Sequence, residues 1–166
     1  MAFSSYLGRN TAKMDSTWRF TIASTKSTWA SLLGDNYIIC KGLKEHCLYV
    51  MDRESFDTFS YTVYQMDFDD YLEYSGDFHS YAYEVKSDKQ GRLRIPEALH
   101  EFLTMADPED KEHNELQLVG AGMFIEVWEK KQYEIDRAAR KASGRDPLKA
   151  HLKFAGVKPP MQKNEV

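Results

Sequence analysis

The feature that most constrains this chain is a short charged turn that occurs twice. Asp15-Ser16-Thr17-Trp18-Arg19 and Asp88-Lys89-Gln90-Gly91-Arg92 each place an aspartate four residues before an arginine, and the two stretches lie 73 positions apart. The same offset carries Ile22 onto Ile95 and Trp29 onto Phe102. A slightly larger one carries Leu48-Tyr49-Val50-Met51 onto Ile125-Glu126-Val127-Trp128. Each half therefore reads strand, charged turn, strand, short helix, strand, glycine-bearing turn, strand. Such a chain is expected to be mainly β with short helices, an α+β fold whose two halves share one core.

The turns carry their own chemistry. Gly91 can take the positive φ that a tight reversal demands, and Pro96 lacks the N–H that a ladder needs and suits the first turn of a helix. Across so short a loop an aspartate pairs with its arginine or accepts from the turn amides, so Asp15 and Asp88, with Gly91 and Pro96, are expected to be structural. Arg19 and Arg92 can serve either as turn support or as ligand contacts. Arg92 and Arg94 lie two apart on a strand and point to one face. Arg9 and Lys13, four apart on the strand before the first turn, are expected to share a face with Arg19, and Lys26 completes that basic cluster.

Along the chain, Ser24 or Thr25 can cap a helix that buries Trp29, Leu32 and Leu33 and stops at Gly34. Tyr37-Ile38-Ile39-Cys40 and Leu48-Tyr49-Val50-Met51 form an apolar hairpin. Asp52 is a candidate cap for a helix reaching Tyr64, with Phe56 and Phe59 on one side. From Tyr64 to Tyr74 aromatic residues recur at three- and four-residue steps, as in an amphipathic helix, and are expected to pack between the halves. Ser80 to Lys86 reads as a strand, Glu97 to Leu103 as a helix, Asp107 to Asn114 as a surface loop, and Glu134 to Ser143 as a basic helix with a flexible tail behind it.

The net charge of −4 conceals an uneven distribution. Residues 1–50 hold Arg9, Lys13, Arg19, Lys26, Lys41 and Lys44 against Asp15, Asp35 and Glu45, a net of +3. Residues 51–85 hold Arg53 against Asp52, Glu54, Asp57, Asp67, Asp69, Asp70, Glu73, Asp77 and Glu84, a net of −8. A basic first segment can meet nucleic acid, whereas the acidic one repels it. There is no GxSxG, P-loop, GxGxxG or HExxH pattern, and His46, His79, His100, His113 and His151 lack ligand spacing, so neither catalysis nor a metal is expected. Cys40 and Cys47 read as buried free thiols. No apolar run approaches the roughly 20 residues that span a bilayer, and the N-terminus has no signal-peptide pattern, so the protein is expected in the cytoplasm.

The second half, with Asp88-Lys89-Gln90-Gly91-Arg92-Leu93-Arg94-Ile95-Pro96, Leu118-Val119-Gly120 and Ile125-Glu126-Val127-Trp128, closely resembles the MraZ family, whose members carry two SpoVT-AbrB modules. The first half is similar through Tyr6-Leu7-Gly8, Asp15, Arg19, Lys41-Gly42-Leu43 and Cys47-Leu48, with Thr17, Trp18 and Ala23 standing where the family has Lys, Gly and Pro. The resemblance implies two tandem swapped-hairpin, AbrB-like β-barrel modules related by a pseudo-two-fold, with a C-terminal helix and tail. On this reading residues 6–54 and 80–133 are the modules, 55–79 an acidic aromatic connector, and 134–166 the basic helix and tail. It also implies a nucleoid-associated, DNA-binding transcriptional regulator acting as a ring-like homo-oligomer. Its target would be repeated boxes upstream of the division and cell-wall gene cluster, its own promoter among them. The expected DNA-binding residues are Arg9, Lys13, Arg19, Lys26, Lys89, Arg92 and Arg94; the partner is double-stranded DNA, with no membrane, cofactor or small-molecule substrate. The alternative is an oligomeric structural or interaction protein with weakened DNA binding.

Overall fold

A computed structural model describes residues 6–22 and 28–144. Ser24, Thr25, Lys26 and the tail after Gly144 lie outside the described residues. The described elements are β1 (Arg9–Lys13), β2 (Arg19–Thr21), α1 (Thr28–Leu33), β3 (Asn36–Lys41), β4 (Cys47–Met51), α2 (Arg53–Tyr64), α3 (Phe68–Ser80), β5 (Ala82–Lys86), β6 (Arg92–Arg94), a 3-10 helix (Glu97–Phe102), β7 (Glu115–Gly120), β8 (Ile125–Glu129) and α4 (Lys130–Ala142). The fold is mainly β with short helices, as the alternating and apolar runs predict. It divides into two compact units, one ending at Tyr133 and the other beginning at Glu134. No helix among the described residues is long and apolar enough to cross a membrane.

The strands form a six-stranded sheet in the order β1-β7-β8-β4-β3-β5 and a two-stranded ribbon, β2-β6. Every pairing is antiparallel. Strands of the two halves interleave, since β1 pairs with β7, β5 with β3, and β4 with β8. Exchanging each strand for its counterpart four places along the chain gives the same order read backwards.

The sheet is covered on both faces, which is why β3 and β4 read as continuous apolar runs rather than as alternation. Tyr37, Ile39, Leu48, Val50, Ile125 and Val127 point to one face, where they pack with Phe20 and Leu93 of the ribbon, Trp29 and Leu33 of α1, and Leu99. Ile38, Cys40, Cys47, Tyr49, Met51 and Trp128 point to the other, against Val63 of α2 and Phe78 of α3. Burying side chains such as these stabilises a fold by roughly 1.5–3 kcal/mol each. Cys40 and Cys47 are buried thiols, Cys47 Sγ donating to the Lys44 carbonyl at 3.4 Å, and burial pushes the Cys40 thiol up to about 12.

Local signals set the ends of the elements. Asp52 caps α2 by accepting from Ser55 N at 2.8 Å, and its carboxylate also accepts from the Tyr6 hydroxyl at 2.6 Å. Gly34 closes α1 at φ 66°. Gly120 is required by close approach, because a Cβ there would lie 2.6 Å from the Tyr6 carbonyl oxygen.

The aromatic stretch from Tyr64 to Tyr74 differs from the expected single packed helix. The chain breaks at Gln65-Met66-Asp67 between α2 and α3, and Tyr64, Phe68, Leu72 and Tyr74 are exposed. The stretch after Pro96 is a 3-10 helix, its turns closed by Leu99 N donating to Pro96 O and Leu103 N to His100 O.

Candidate nucleic-acid interface

The ribbon brings the two charged turns together. In β2–β6 Arg19 lies opposite Arg94, Phe20 opposite Leu93 and Thr21 opposite Arg92. Phe20 and Leu93 occupy corresponding positions in the two halves, so the pairing centres on equivalent residues. Alternation then sends Phe20 and Leu93 to the core and Arg19, Arg92 and Arg94 to the opposite face.

Three guanidinium groups on so small a face repel one another, and the aspartates offset this. Asp15 Oδ1 accepts from Thr17 N, Thr17 Oγ1 and Arg19 N at 2.8–2.9 Å, while Oδ2 accepts from Arg19 Nε at 3.0 Å. Asp88 Oδ1 accepts from Gln90 N and Arg92 N at 2.9 Å, while Oδ2 accepts from Arg92 Nε at 2.7 Å. Each arginine also reaches the other turn, Arg19 Nη1 lying 3.9 Å from Asp88 Oδ2 and Arg92 Nη1 lying 3.8 Å from Asp15 Oδ2. Burial pushes the Asp15 carboxyl up, but the Arg19 amide and the Thr17 hydroxyl and amide outweigh it, so the carboxyl sits below its ordinary value. The Arg92 amide, helped by the Arg92 guanidinium, lowers that of Asp88.

Both turns need a left-handed residue before the arginine. Gly91 supplies it at φ 72°, Trp18 at φ 59°. The Trp18 ring stacks on the imidazole of His100, centroid to centroid 3.7 Å with the planes 11° apart, and its carbonyl accepts from Ile95 N at 2.9 Å. The sequence gives no sign of this contact, because His100 belongs to a 3-10 helix of the other half.

The remaining candidates fall in two places. Arg94 and Lys89 are exposed on the ribbon and the tip of the second turn, and neither has an ion-pair partner among the described residues. Pro96 opens the 3-10 helix behind the ribbon. Arg9 and Lys13 share the exposed face of β1, as their spacing predicts, but they stand on the six-stranded sheet, opposite Val119 and Glu115, whereas Arg19 stands on the ribbon. Lys26 lies outside the described residues. Lys86, exposed at the end of β5, adds a cation that the turn-centred reading missed.

Comparison with known proteins identifies the family. Residues 78–154 match the family model described as "MraZ protein, putative antitoxin-like". The "Transcriptional regulator MraZ" of Desulforamulus reducens is 31% identical over 113 residues, which is 67% of this chain and 74% of that protein. The chain belongs to the MraZ family. The MraZ proteins of Carboxydothermus hydrogenoformans, 29% identical over 125 residues (74% of this chain, 80% of that one), and Acetivibrio thermocellus, 29% over 104 residues (61% and 67%), carry the same name. Transcriptional regulation is a non-enzymatic role. Within the MraZ match lie β5, the second charged turn, β6, β7 and β8; the first charged turn lies before it.

Proposed function

We propose that this chain is a DNA-binding transcriptional regulator whose contact surface is the outer face of the β2–β6 ribbon and its two turns. The observation that carries the reading is the convergence of Arg19, Arg92 and Arg94 on one face of a two-stranded ribbon, with Lys89 at a turn tip. A major groove admits a ribbon of this width, and arginine is the side chain whose fork best matches guanine edges. Arg94 and Lys89 are the free contacts. Arg19 and Arg92 keep part of their five N–H donors after serving Asp15 and Asp88, and add positive potential while holding the turns. Arg9 and Lys13, on β1, extend the surface toward phosphates that fix register. Residues 6–54 and 80–133 act as two modules on either side of the acidic 55–79 connector.

One such face makes few contacts. A ring-like homo-oligomer repeats it, so weak contacts to repeated boxes add through high effective concentration. Such boxes upstream of the division and cell-wall gene cluster, the chain's own promoter among them, are the target this reading assigns. In a gel-shift with DNA from upstream of its own gene, affinity is expected to fall steeply between two salt concentrations. Arg94→Ala and Lys89→Ala are each expected to weaken binding and to flatten the log–log salt dependence by roughly one per protomer engaged. Two variants of wild-type oligomer size that bind with unchanged affinity and slope would move the DNA surface elsewhere. A second reading, an oligomeric interaction protein with weakened DNA binding, is favoured by the ion-paired state of Arg19 and Arg92 and by Trp18 at the first turn.

A further inference from the structure

The α2–α3 segment carries more exposed apolar side chain than a solvated surface needs. Phe68 is 71% exposed, Leu72 58% and Tyr64 56%. The same two helices, with the β3–β4 turn, also enclose a groove of about 400 Å³ lined by Leu43, Phe59, Val63, Met66, Tyr74 and Phe78. Asp77 lines it, Asp67, Asp69, Asp70 and Glu73 are exposed at and along the first turns of α3, and Lys41, the cation that also lines the groove, is paired with Asp77 at 2.9 Å. An aromatic groove on a strongly acidic helix pair repels nucleic acid and suits a basic amphipathic helix.

The chain contains such a helix. In α4, Ile135, Ala138, Ala139 and Ala142 stand at i, i+3, i+4 and i+7 and are all exposed, Ile135 at 62%. Lys130, Lys131, Arg137, Arg140 and Lys141 outnumber Glu134 and Asp136, a net of +3 against −8 for residues 51–85. We propose that the α2–α3 groove receives α4 of a second copy of this chain. The inference rests on the ring-like oligomer of the proposed function and names the surfaces that build it. A groove facing its own copy would set carboxylate against carboxylate, and α4 facing α4 would set base against base. The charges therefore select groove against helix, a heterologous contact that passes from copy to copy and closes as a ring.

The test uses two full-length variants altered only at exposed positions. Leu43→Lys with Tyr74→Lys blocks the groove, and Ile135→Glu with Arg137→Glu blocks the helix. In sedimentation at micromolar concentration the wild type is expected at several times 19.3 kDa, and each variant alone as a monomer. Mixing the two restores one intact contact per pair, the sound helix of one entering the sound groove of the other, and is expected to give a dimer that grows no further. Variants that keep the wild-type size, or a mixture that stays monomeric, overturn the groove-and-helix assignment while leaving the ring intact. A wild-type monomer overturns both. Should either variant fail to melt cooperatively, the milder pair Leu43→Ser and Ile135→Ser carries the same comparison through weakened assembly.

Discussion

A left-handed backbone costs a residue with a Cβ about 1–2 kcal/mol, and in the first turn that residue is Trp18. Its stack on His100 offsets the cost, a geometry worth about 0.5–1.5 kcal/mol beyond area burial. Trp18→Ala keeps the strain and loses the ring, and is expected to destabilise by about 1–3 kcal/mol. Trp18→Gly loses the ring but releases the strain, so its urea midpoint should lie above that of the alanine variant; the reverse order would show that Trp18 is not strained. Gly91→Ala isolates the backbone contribution, since an added Cβ there meets nothing within 4 Å, and should cost about 1–2 kcal/mol. Acid acts on the same turns. The Asp15, Asp52 and Asp88 carboxyls all sit below their ordinary value in the folded chain. Their stabilisation is complete above the unfolded carboxylate range, near 3.9, and is lost as pH falls through the lower folded values. Thermal melts from pH 6 to pH 3 should show a falling Tm, less steep in Asp15→Asn.

Among the elements, β8 carries the most exacting polar site. Glu126 is 4% exposed in the middle of the sheet; its Oε1 accepts from Lys44 Nζ at 2.6 Å and its Oε2 from Trp128 Nε1 at 2.9 Å. Lys44→Met removes one donor and leaves a buried carboxylate short of a partner, at a cost of order 1–3 kcal/mol. Restored stability in Lys44→Met with Glu126→Gln would identify the unpaired charge as the cause. Neither residue was legible as a pair, because 82 positions separate them and only the β4–β8 register brings the β3–β4 turn over β8. The inner strands were legible for the opposite reason: a sheet buried on both faces leaves unbroken apolar runs in β3 and β4. The break at Gln65-Met66-Asp67 was not, since the three- and four-residue spacing of aromatics runs straight through it and only the exposed side chains of the structure show that the stripe lies uncovered. The charged turns were legible as a repeat, but their meeting in one ribbon follows from pairing between halves, which local pattern does not encode.

At the scale of the whole molecule, the strand order poses the question of why the chain keeps two unlike halves. Each half has β-strands whose partners lie in the other half, and the order reads the same from either end once each strand is exchanged for its counterpart, so a half could in principle pair with a copy of itself. The register at the centre opposes this for the second half. Tyr49 and Glu126 face each other across β4–β8 and occupy corresponding positions in the two halves. Pairing β8 with a second β8 would set Glu126 against Glu126 in a buried sheet, without the Lys44 that the first half supplies. Like charges directly opposite destabilise a strand pair, and an unpaired charge in the interior costs several kcal/mol. The first half would face Tyr49 with Tyr49 and Phe20 with Phe20, which carries no such penalty. Produced separately, residues 81–133 are therefore expected to stay unfolded by circular dichroism at neutral pH, and to fold on addition of one equivalent of residues 6–80. Replacing Glu126 by tyrosine, the residue of the first half, should allow residues 81–133 to assemble with themselves. A folded homodimer of the unaltered second half would show that Glu126 does not enforce the pairing of unlike halves.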